Sequence, residues 1–332
     1  MAAYRSTGKE LRKSPKGLIA GLLSFLLAAG TAYGIKYVLD GIEPVTSPAE
    51  STEISVPDLA ESNAESTDGK EYGTETLAAS ELHHGPLVLI SNDYPTEDLT
   101  EGIYTVFEKK LNILTVRDLT VMLHEDASAA INELAEGFQK ETGLTDLLVL
   151  NGYITKEDQK KRYEADLQRT GKTESELYAL PGCSEFESGY SFEFSLYSHG
   201  NYLDFTTDDE HKWIAEHCAD YGIIQRYPEG SEQATGVSNR PEVFRYVGKP
   251  HAYYMHENSL SLEEYTAMLE EHPYDGEHFR LTDADGQEYE VYYVPFDPSD
   301  PSSEAEIPVP VGYTFNVSGN NKHGFIVTAE LD

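Results

Sequence analysis

The sequence predicts an α+β fold, in which a small antiparallel sheet packs with helices after one N-terminal transmembrane helix and before a C-terminal β appendage. Three observations lead to this expectation. Apolar residues recur at helical spacing in several segments that end in glycine, they alternate with polar residues in several others, and they form one uncharged run near the N-terminus. With 332 residues, 39% of them hydrophobic, the chain is long enough to bury a core in one or two domains.

The N-terminal segment gives the clearest physical signal. Residues 1–16 carry five basic side chains against Glu10 alone, and residues 17–35 then run for 19 residues without a charge. A helix of that length crosses about 30 Å of hydrocarbon, and the basic flank stays in the cytoplasm. We expect a cytoplasmic terminus (1–16), an anchor in the cell membrane (17–39) and an extracytoplasmic remainder. The alternative is a cleaved signal peptide.

The charge balance is strongly acidic, with a formal net charge of −35. Such a surface repels phosphate backbones, so nucleic acid is not expected as a partner. Residues 40–82 hold eleven acidic side chains against one lysine and show no sustained apolar period. Because such a segment cannot offset its ordering entropy by burial, residues 40–84 are predicted to be a disordered stalk.

The mixed domain is expected over residues 85–274. Its first ordered segment is predicted at 85–91, an apolar, strand-like run. Helices are predicted where apolar spacing meets a cap or a closing glycine, at 128–143, 155–171 (capped by Thr155), 208–222 and 261–272. Strands are predicted from buried or alternating runs at 146–153, 188–197 and 242–248.

The C-terminal region, residues 275–332, is predicted to be a β-hairpin appendage. Two alternating runs flank Asp285-Gly286, which is a strong hairpin signal. A second hairpin is expected at 312–331, after a linker rich in Pro, Ser and Asp.

Five motifs follow one another along the middle of the chain: "NGYITKEDQ" (151–159), "ALPGCSEFESGYSFEF" (179–194), "WIAEHCADYGIIQRYPEGSEQATG" (213–236), "RPEVFRYVGKPHA" (240–252) and "LSLEEYTAML" (260–269). In this order they resemble the VanY-type D-alanyl-D-alanine carboxypeptidases, zinc peptidases that trim peptidoglycan stem peptides. The resemblance covers about residues 85–272. It implies a D-Ala-D-Ala carboxypeptidase-like core for the α+β domain.

The resemblance also implies a zinc ion with three ligands and a glutamate as general base, yet this chain has other residues there. The ligand positions hold Phe186, Glu193 and Val243, the base position holds Arg240, and a substrate-side arginine is replaced by Ile154. Phenylalanine and valine have no lone pair for a metal, and one carboxylate is not the ligand set of a catalytic zinc. Arginine has no accessible neutral form, so it cannot be a base. We therefore expect neither zinc nor catalysis.

Two of these changes are complementary in charge. Glu193 without a metal cation needs another positive partner, and Arg240 can supply it. We expect a buried ion pair between them, with Phe186 and Val243 packed around it.

Three further residues match family positions in or near the substrate cleft: Gln159, Ser184 and Arg245. The resemblance implies a ligand-binding role for them. The alternative is structural, as a polar group on a helix, a turn hydroxyl and a salt bridge at a strand end.

Other polar residues and the two cysteines allow more than one interpretation. His199, Asp204 and His211 form the nearest candidate for a relocated metal site. The remaining histidines singled out are expected to face solvent, namely His83, His84, His251, His256 and His323. Cys183 and Cys218 either pair or stay as separate thiols.

Three functions follow from these observations. The first is a membrane-anchored pseudoenzyme outside the cytoplasm that binds peptidoglycan stem peptide or a wall-associated protein. The second is an active D-alanyl-D-alanine metallocarboxypeptidase with unusual ligands. The third is a structural scaffold that binds nothing in its cleft.

Overall fold

The computed structural model describes residues 69–99, 101–175, 177–297, 299 and 303–331. The predicted cytoplasmic terminus, the anchor at 17–39 and the stalk as far as residue 68 lie outside these ranges. Within them, no helix combines the length and the apolar character needed to cross a membrane.

The strands of the described residues are, in chain order, β1 (Tyr72–Ala78), β2 (Ile103–Thr105), β3 (Thr115–Val116), β4 (Met122–His124), β5 (Leu147–Asn151), β6 (Ser191–Ser198), β7 (Asn201–Leu203), β8 (Ile223–Tyr227), β9 (Arg240–Tyr246), β10 (Phe279–Thr282), β11 (Glu288–Pro295), β12 (Glu304–Pro310), β13 (Phe315–Gly319) and β14 (Gly324–Glu330). The α-helices are α1 (Val106–Lys109), α2 (Glu125–Thr142), α3 (Lys156–Thr170), α4 (Lys212–His217), α5 (Glu232–Thr235), α6 (Lys249–Glu257) and α7 (Leu262–Leu269). Short 3-10 helices lie at Ala79–His83, Glu185–Ser188, Asp209–His211 and Cys218–Tyr221.

The central sheet confirms the α+β prediction. Its strands lie in the order β3-β5-β6-β9-β8, and β7 pairs with the end of β6. All pairs are antiparallel except β3 with β5, which is parallel. The sheet therefore places β5, β6 and β9 side by side at its centre.

The two longest helices form where the local sequence predicts them. The side chain of Thr155 accepts a hydrogen bond from the Asp158 backbone at the start of α3, and Gly171 ends that helix in the left-handed conformation. Helix α2 ends in the same way at Gly143. The prediction of one continuous helix at 208–222 is wrong, because this stretch forms the short helix α4 with a 3-10 helix on each side.

Strand β6 alternates as predicted, yet both of its faces are buried. Phe192, Phe194 and Leu196 enter the core that the apolar face of α2 helps to form. The opposite face carries Ser191, Glu193 and Ser195, which are buried as well. Buried polar groups need partners, so this second face has to carry a polar network.

The end of the predicted disordered stalk is folded, which corrects the expectation for its last residues. Strand β1 pairs with β12 over its whole length, from Tyr72 opposite Pro310 to Ala78 opposite Glu304. The Lys70 ammonium contacts the buried Glu290 carboxylate. These partners are more than 200 positions away along the chain, so local composition gives no sign of them.

The strand predicted at 85–91 is also wrong, because this stretch begins with a turn at Pro86 and Leu87, continues as irregular backbone outside any sheet, and is buried over residues 87–90. Its peptide groups bond to side chains and to loops. The Arg245 guanidinium donates to the carbonyls of Pro86 (2.9 Å) and Val88 (3.2 Å). The Leu87 amide donates to Ser318 Oγ (3.0 Å).

The C-terminal strands form a four-stranded sheet in the order β10-β11-β14-β13, together with the β1–β12 pair. The hairpin predicted around Asp285-Gly286 is present as β10 and β11. Leu281, Val291 and Ile326 of this sheet share one apolar core with helices α6 and α7. The predicted appendage therefore packs directly against the helices of the mixed domain.

His251 lies inside this shared core, which corrects the expectation that it faces solvent. It is 4% exposed, and its ring nitrogens contact the Tyr265 hydroxyl (2.7 Å) and the Thr328 hydroxyl (3.0 Å). Burial lowers the pKa of His251 to about 3. His256 and His323 are exposed as expected, and His83 and His84 are half-buried.

Candidate functional site

The positions that the sequence resemblance assigns to catalysis come together at the centre of the sheet. Glu193 on β6 lies directly opposite Val243 on β9 and opposite Asn151 at the end of β5. Arg240 is at the start of β9. Phe186 lies in the 3-10 helix that precedes β6, and the Ile154 amide donates to its carbonyl (3.4 Å).

Glu193 is buried and has both carboxylate oxygens bonded. Arg240 Nη2 donates to Oε1, and the Asn151 side-chain amide donates to Oε2. The ion pair predicted from the sequence is therefore present. The pair is less buried than predicted, because the Arg240 side chain is 37% exposed while that of Glu193 is 11% exposed.

The Glu193 contacts belong to a longer row of side chains, the polar ladder, formed by Arg117, Asn151, Glu193, Arg240 and Glu242. Arg117 Nη1 donates to Asn151 Oδ1 (2.7 Å), and Arg240 Nε donates to Glu242 Oε1 (3.0 Å). The ladder thus reaches from the residue after β3 to β9. It contains two cations and two anions, so its charges balance.

Asp118 lies outside the ladder and accepts a hydrogen bond from Arg117 Nε (2.8 Å) at its outer end. Hydrogen bonds from the Thr120 hydroxyl and from Arg117 lower the pKa of Asp118 to about 2. Arg117, Asn151 and Glu242 were not among the site residues predicted from the sequence. Glu242 had one local signal, since residues two apart on a strand share a face and Arg240 was already a candidate.

The residues present do not fit the zinc ion that the resemblance implies. Val243 is completely buried and Phe186 half-buried, and neither has a donor atom. Glu193 could offer a carboxylate, but each of its oxygens already accepts from a neighbour. A catalytic zinc needs three protein ligands and an open position, and this cluster supplies one engaged carboxylate.

The relocated metal site also lacks a ligand set. His211 Nε2 contacts the Asp146 carboxylate (3.1 Å), and His199 Nδ1 contacts Ser198 Oγ (2.8 Å). Asp204 is exposed. Over the described residues, no group of three or more His, Cys, Asp or Glu side chains is placed to hold a metal ion.

The three predicted ligand-binding residues are all buried and have partners within the protein. Gln159 Nε2 donates to the Ala179 carbonyl (2.8 Å). The Ser184 amide donates to Glu187 Oε2 (2.8 Å), and Glu187 also accepts from the Gly182 amide (2.9 Å). Burial raises the pKa of Glu187 in spite of these two bonds. This carboxylate therefore fixes the turn that carries Ser184.

Arg245 belongs to a buried charge chain of four residues: Arg245, Glu185, Arg226 and Glu263. Arg245 Nη1 donates to Glu185 Oε1 (2.5 Å), and Arg226 Nε lies 3.3 Å from Glu185 Oε2. Arg226 then makes a bidentate contact with Glu263 (2.6 and 3.0 Å). Burial alone raises the pKa of Glu185, but the two arginines outweigh it and hold that pKa below its usual value.

Both cysteines are free thiols in the structure. Burial raises the pKa of Cys218 to about 12, and that of Cys183 is raised by the same cause. A thiol with a raised pKa is a poor nucleophile, so neither cysteine is a candidate for a catalytic nucleophile.

The α+β domain thus holds these positions on the adjacent strands β6 and β9, on the 3-10 helix before β6 and on the segment after β5. A family model described as VanY, D-alanyl-D-alanine carboxypeptidase, matches residues 120–249. A D-alanyl-D-alanine carboxypeptidase of Enterococcus faecium is 29% identical over 259 residues, which is 76% of this chain and 78% of that protein. A bifunctional D-Ala-D-Ala dipeptidase and carboxypeptidase of Enterococcus gallinarum is 32% identical over 40% of this chain and 74% of its own length.

Among solved structures, the chain is similar to the vancomycin-resistance D,D-dipeptidase VanXYg, which was crystallised with a D-Ala-D-Ala phosphinate analog. The TM-score is 0.67 at 28% identity, over 79% of this chain and 100% of that one. The chain therefore belongs to the VanY family of D-alanyl-D-alanine carboxypeptidases.

Proposed function

We propose that this protein is a zinc-independent, catalytically inactive member of the VanY family that binds a peptide or protein partner outside the cytoplasm. One observation carries the proposal. The single carboxylate left from the expected metal site accepts hydrogen bonds on both oxygens, from Arg240 and Asn151. A metal would have to displace a guanidinium that already balances the charge of Glu193.

The N-terminal segment supports the location. Its basic flank and its uncharged run of 19 residues favour a helix that holds the domain at the outer face of the cell membrane. For the partner we propose either a peptidoglycan stem peptide or a wall-associated protein. The solved relative bound to a D-Ala-D-Ala phosphinate analog makes the stem peptide the first ligand to test.

A scaffold without any ligand is the second candidate, and one observation favours it. Gln159 and Arg245, expected to face a ligand, donate their side-chain hydrogen bonds to the protein itself. Ligand binding would then rely on other groups of the cleft. Arg117, Arg240 and Glu242, each about one-third exposed, are the charged groups of the ladder that a ligand can reach.

The first experiment measures zinc per chain in the purified full-length protein, together with release of D-alanine from a stem pentapeptide. We expect less than about one-tenth of a zinc ion per chain and no release. The matched comparison carries Phe186→His, Glu193→Asp, Arg240→Glu and Val243→His together, which restores the donor types that the resemblance implies. Stoichiometric zinc and chelator-sensitive hydrolysis in the unchanged protein would refute the proposal.

The second experiment titrates the same pentapeptide into the unchanged protein by calorimetry. Saturable binding that Arg240→Gln weakens supports a peptide-binding pseudoenzyme. Absence of binding at millimolar peptide supports the scaffold or a protein partner. Glu157→Gln on the exposed face of α3 is the control for nonspecific charge effects.

A further inference from the structure

A groove of about 950 Å³ lies at the edge of the central sheet, beside β8. We call it the β8 groove. Residues 223–226 of β8 form one side of it, residues 228–234 with helix α5 form the second, and residues 255–267 of α6 and α7 form the third. No residue of the polar ladder lines it. Its volume falls within the range of small-ligand sites, which is about 300–1,000 Å³.

The lining of the β8 groove combines an apolar floor with acidic walls. The floor includes the buried side chains of Ala219, Ile224, Met255 and Leu262. The walls carry three carboxylates, those of Glu229, Glu263 and Glu264. An occupant that fits this lining has an apolar body and a positive charge.

The arginine in the groove wall, Arg226, already has carboxylate partners within the protein. Among the described residues that line the groove, Arg226 is the only arginine or lysine. Its side chain is 1% exposed and is held by Glu263 on one side and Glu185 on the other. The exposed carboxylates of the rim therefore have no free lysine or arginine beside them in the groove, where the remaining basic side chain of the lining is His256.

Glu263 is the end of the buried charge chain that solvent reaches. Its side chain is 23% exposed, against 4% for Glu185 and 0% for Arg245. Each carboxylate oxygen has a second lone pair, so Glu263 can accept from a ligand cation while it holds Arg226. A cation seated here would bond a carboxylate at the edge of a low-dielectric wall, where charge pairs are stronger than at an open surface.

We propose that the β8 groove is a second binding site, for a peptide segment in which a lysine or arginine is flanked by apolar side chains. The apolar side chains lie on the floor, and the cation bonds Glu263 with Glu229 beside it. This site goes beyond the proposed function, because it lies at the β8 edge of the sheet and is lined by none of the polar-ladder residues at the centre.

The charge chain links this groove to the former catalytic cleft. Arg226 Nε and Glu185 Oε2 face each other at 3.3 Å, yet within the described residues neither atom makes a hydrogen bond. This central link is therefore the looser one in the chain. Glu185 begins the 3-10 helix that carries Phe186. A cation that draws Glu263 outward shifts Arg226 and changes its distance from Glu185.

The test uses the full-length chain in a nonionic detergent and three capped tripeptides: Leu-Lys-Leu, Leu-norleucine-Leu and Leu-Glu-Leu. Norleucine removes the charge of lysine and keeps most of its apolar stem. We expect calorimetry to show the lysine peptide binding at least about ten times more tightly than the norleucine peptide, and the glutamate peptide not binding. Equal affinity for the first two peptides, or no binding of the lysine peptide at millimolar concentration, would overturn the proposal.

Substitutions in the lining test whether the lysine peptide binds in the β8 groove. Glu263→Gln is expected to weaken the lysine peptide at least about tenfold, and the exposed rim change Glu229→Gln about threefold. Because Glu263 also holds a buried arginine, Ala267→Phe provides an independent variant that fills the groove from an exposed position on α7. Glu257→Gln, exposed on α6 and outside the lining, is the matched control and is expected to change nothing. Full affinity in Ala267→Phe would place the peptide elsewhere and refute the site.

A separate measurement tests whether binding in the β8 groove affects the charge chain that leads to the cleft. In protein labelled with ¹⁵N-arginine, the Nε–H resonance of Arg226 is expected to shift with the lysine peptide and not with the norleucine peptide. These readouts are independent of zinc and of D-alanine release, so the groove and the proposed function fail separately. An unchanged Arg226 resonance at saturating lysine peptide would refute contact with Glu263.

Discussion

Arg240 on β9 donates a hydrogen bond to the Glu193 carboxylate on β6, at the position where the family resemblance implies a metal ion. The two residues come from neighbouring strands, and Glu193 lies opposite Val243, three residues beyond Arg240. A guanidinium thus supplies the positive charge next to the only carboxylate that the ligand positions keep. The charge of the Glu193 carboxylate is therefore balanced by a side chain of the protein itself.

The first prediction concerns the strength of this pair. Arg240→Ala is expected to lower the free energy of unfolding by about 1–2 kcal/mol, because Glu193 keeps its bond from Asn151 and the arginine is part-exposed. A fully buried pair would cost about 3–5 kcal/mol. The double variant with Glu193→Gln is expected to lose less than the sum of the single variants. Chemical denaturation of the four proteins measures this coupling.

Arg162→Ala serves as the control for the first prediction, since Arg162 is exposed on α3. It is expected to change stability by less than about 0.5 kcal/mol. Strict additivity of Arg240→Ala and Glu193→Gln would mean that the contact contributes nothing to stability.

The second prediction concerns the buried charge chain. Glu185→Gln leaves Arg226 and Arg245 without the carboxylate between them, so it is expected to lower the free energy of unfolding by about 3–5 kcal/mol. Thermal or chemical denaturation measures the loss. Glu157→Gln, the same change in an exposed pair with Lys161, is the control. A similar small effect for both variants would show that the arginines find other partners.

The elements predicted correctly from the sequence are those that depend on residues close together along the chain. The Thr155 cap, the closing Gly171 and the Asp285-Gly286 turn each act within a few residues, and each is present in the structure. Membership of the family and the contact between Arg240 and Glu193 also follow from motifs along the chain.

The features that the sequence did not predict depend on distant partners. Strand β1 needs β12, which lies more than 200 residues later. His251 is buried because the C-terminal sheet covers α6 and places Thr328 against its ring. Arg226 belongs to one of the five motifs, but its ion pairs form only when β8, the 3-10 helix that begins at Glu185 and α7 come together. In each case neither composition nor periodicity records which distant residue is the partner.

The third prediction concerns topology. The basic flank before residue 17 is expected to keep the N-terminus inside, with the chain from about residue 40 outside. Protease added to intact cells is expected to cut between residues 40 and 68, because the composition of this segment predicts a disordered stalk, whereas Tyr72 already pairs in β1. The measurement is release of a soluble fragment detected by mass spectrometry. Protection of residues 40–68 until the cells are lysed would contradict this topology.

The fourth prediction concerns the pH dependence of stability through His251. Its ring contacts two hydroxyl groups and no carboxylate, and burial is the cause that lowers its pKa from 6.5 to about 3. Between these values the unfolded chain binds a proton that the folded chain does not bind. The contribution of His251 to the free energy of unfolding is therefore fully present above pH 6.5. Below pH 6.5 it decreases by up to about 1.4 kcal/mol per pH unit.

The measurement is the free energy of unfolding at several pH values between 6.5 and 5, where most carboxylates remain ionised in both states. His251→Gln is expected to be less stable at pH 7 and to show a shallower pH dependence, since the amide keeps two polar atoms but takes up no proton. His256→Gln, the same change at an exposed position on the same helix, is expected to leave the slope unchanged. An equal slope in the wild type and His251→Gln would mean that His251 is protonated inside the core, and the assignment of a neutral ring would be wrong.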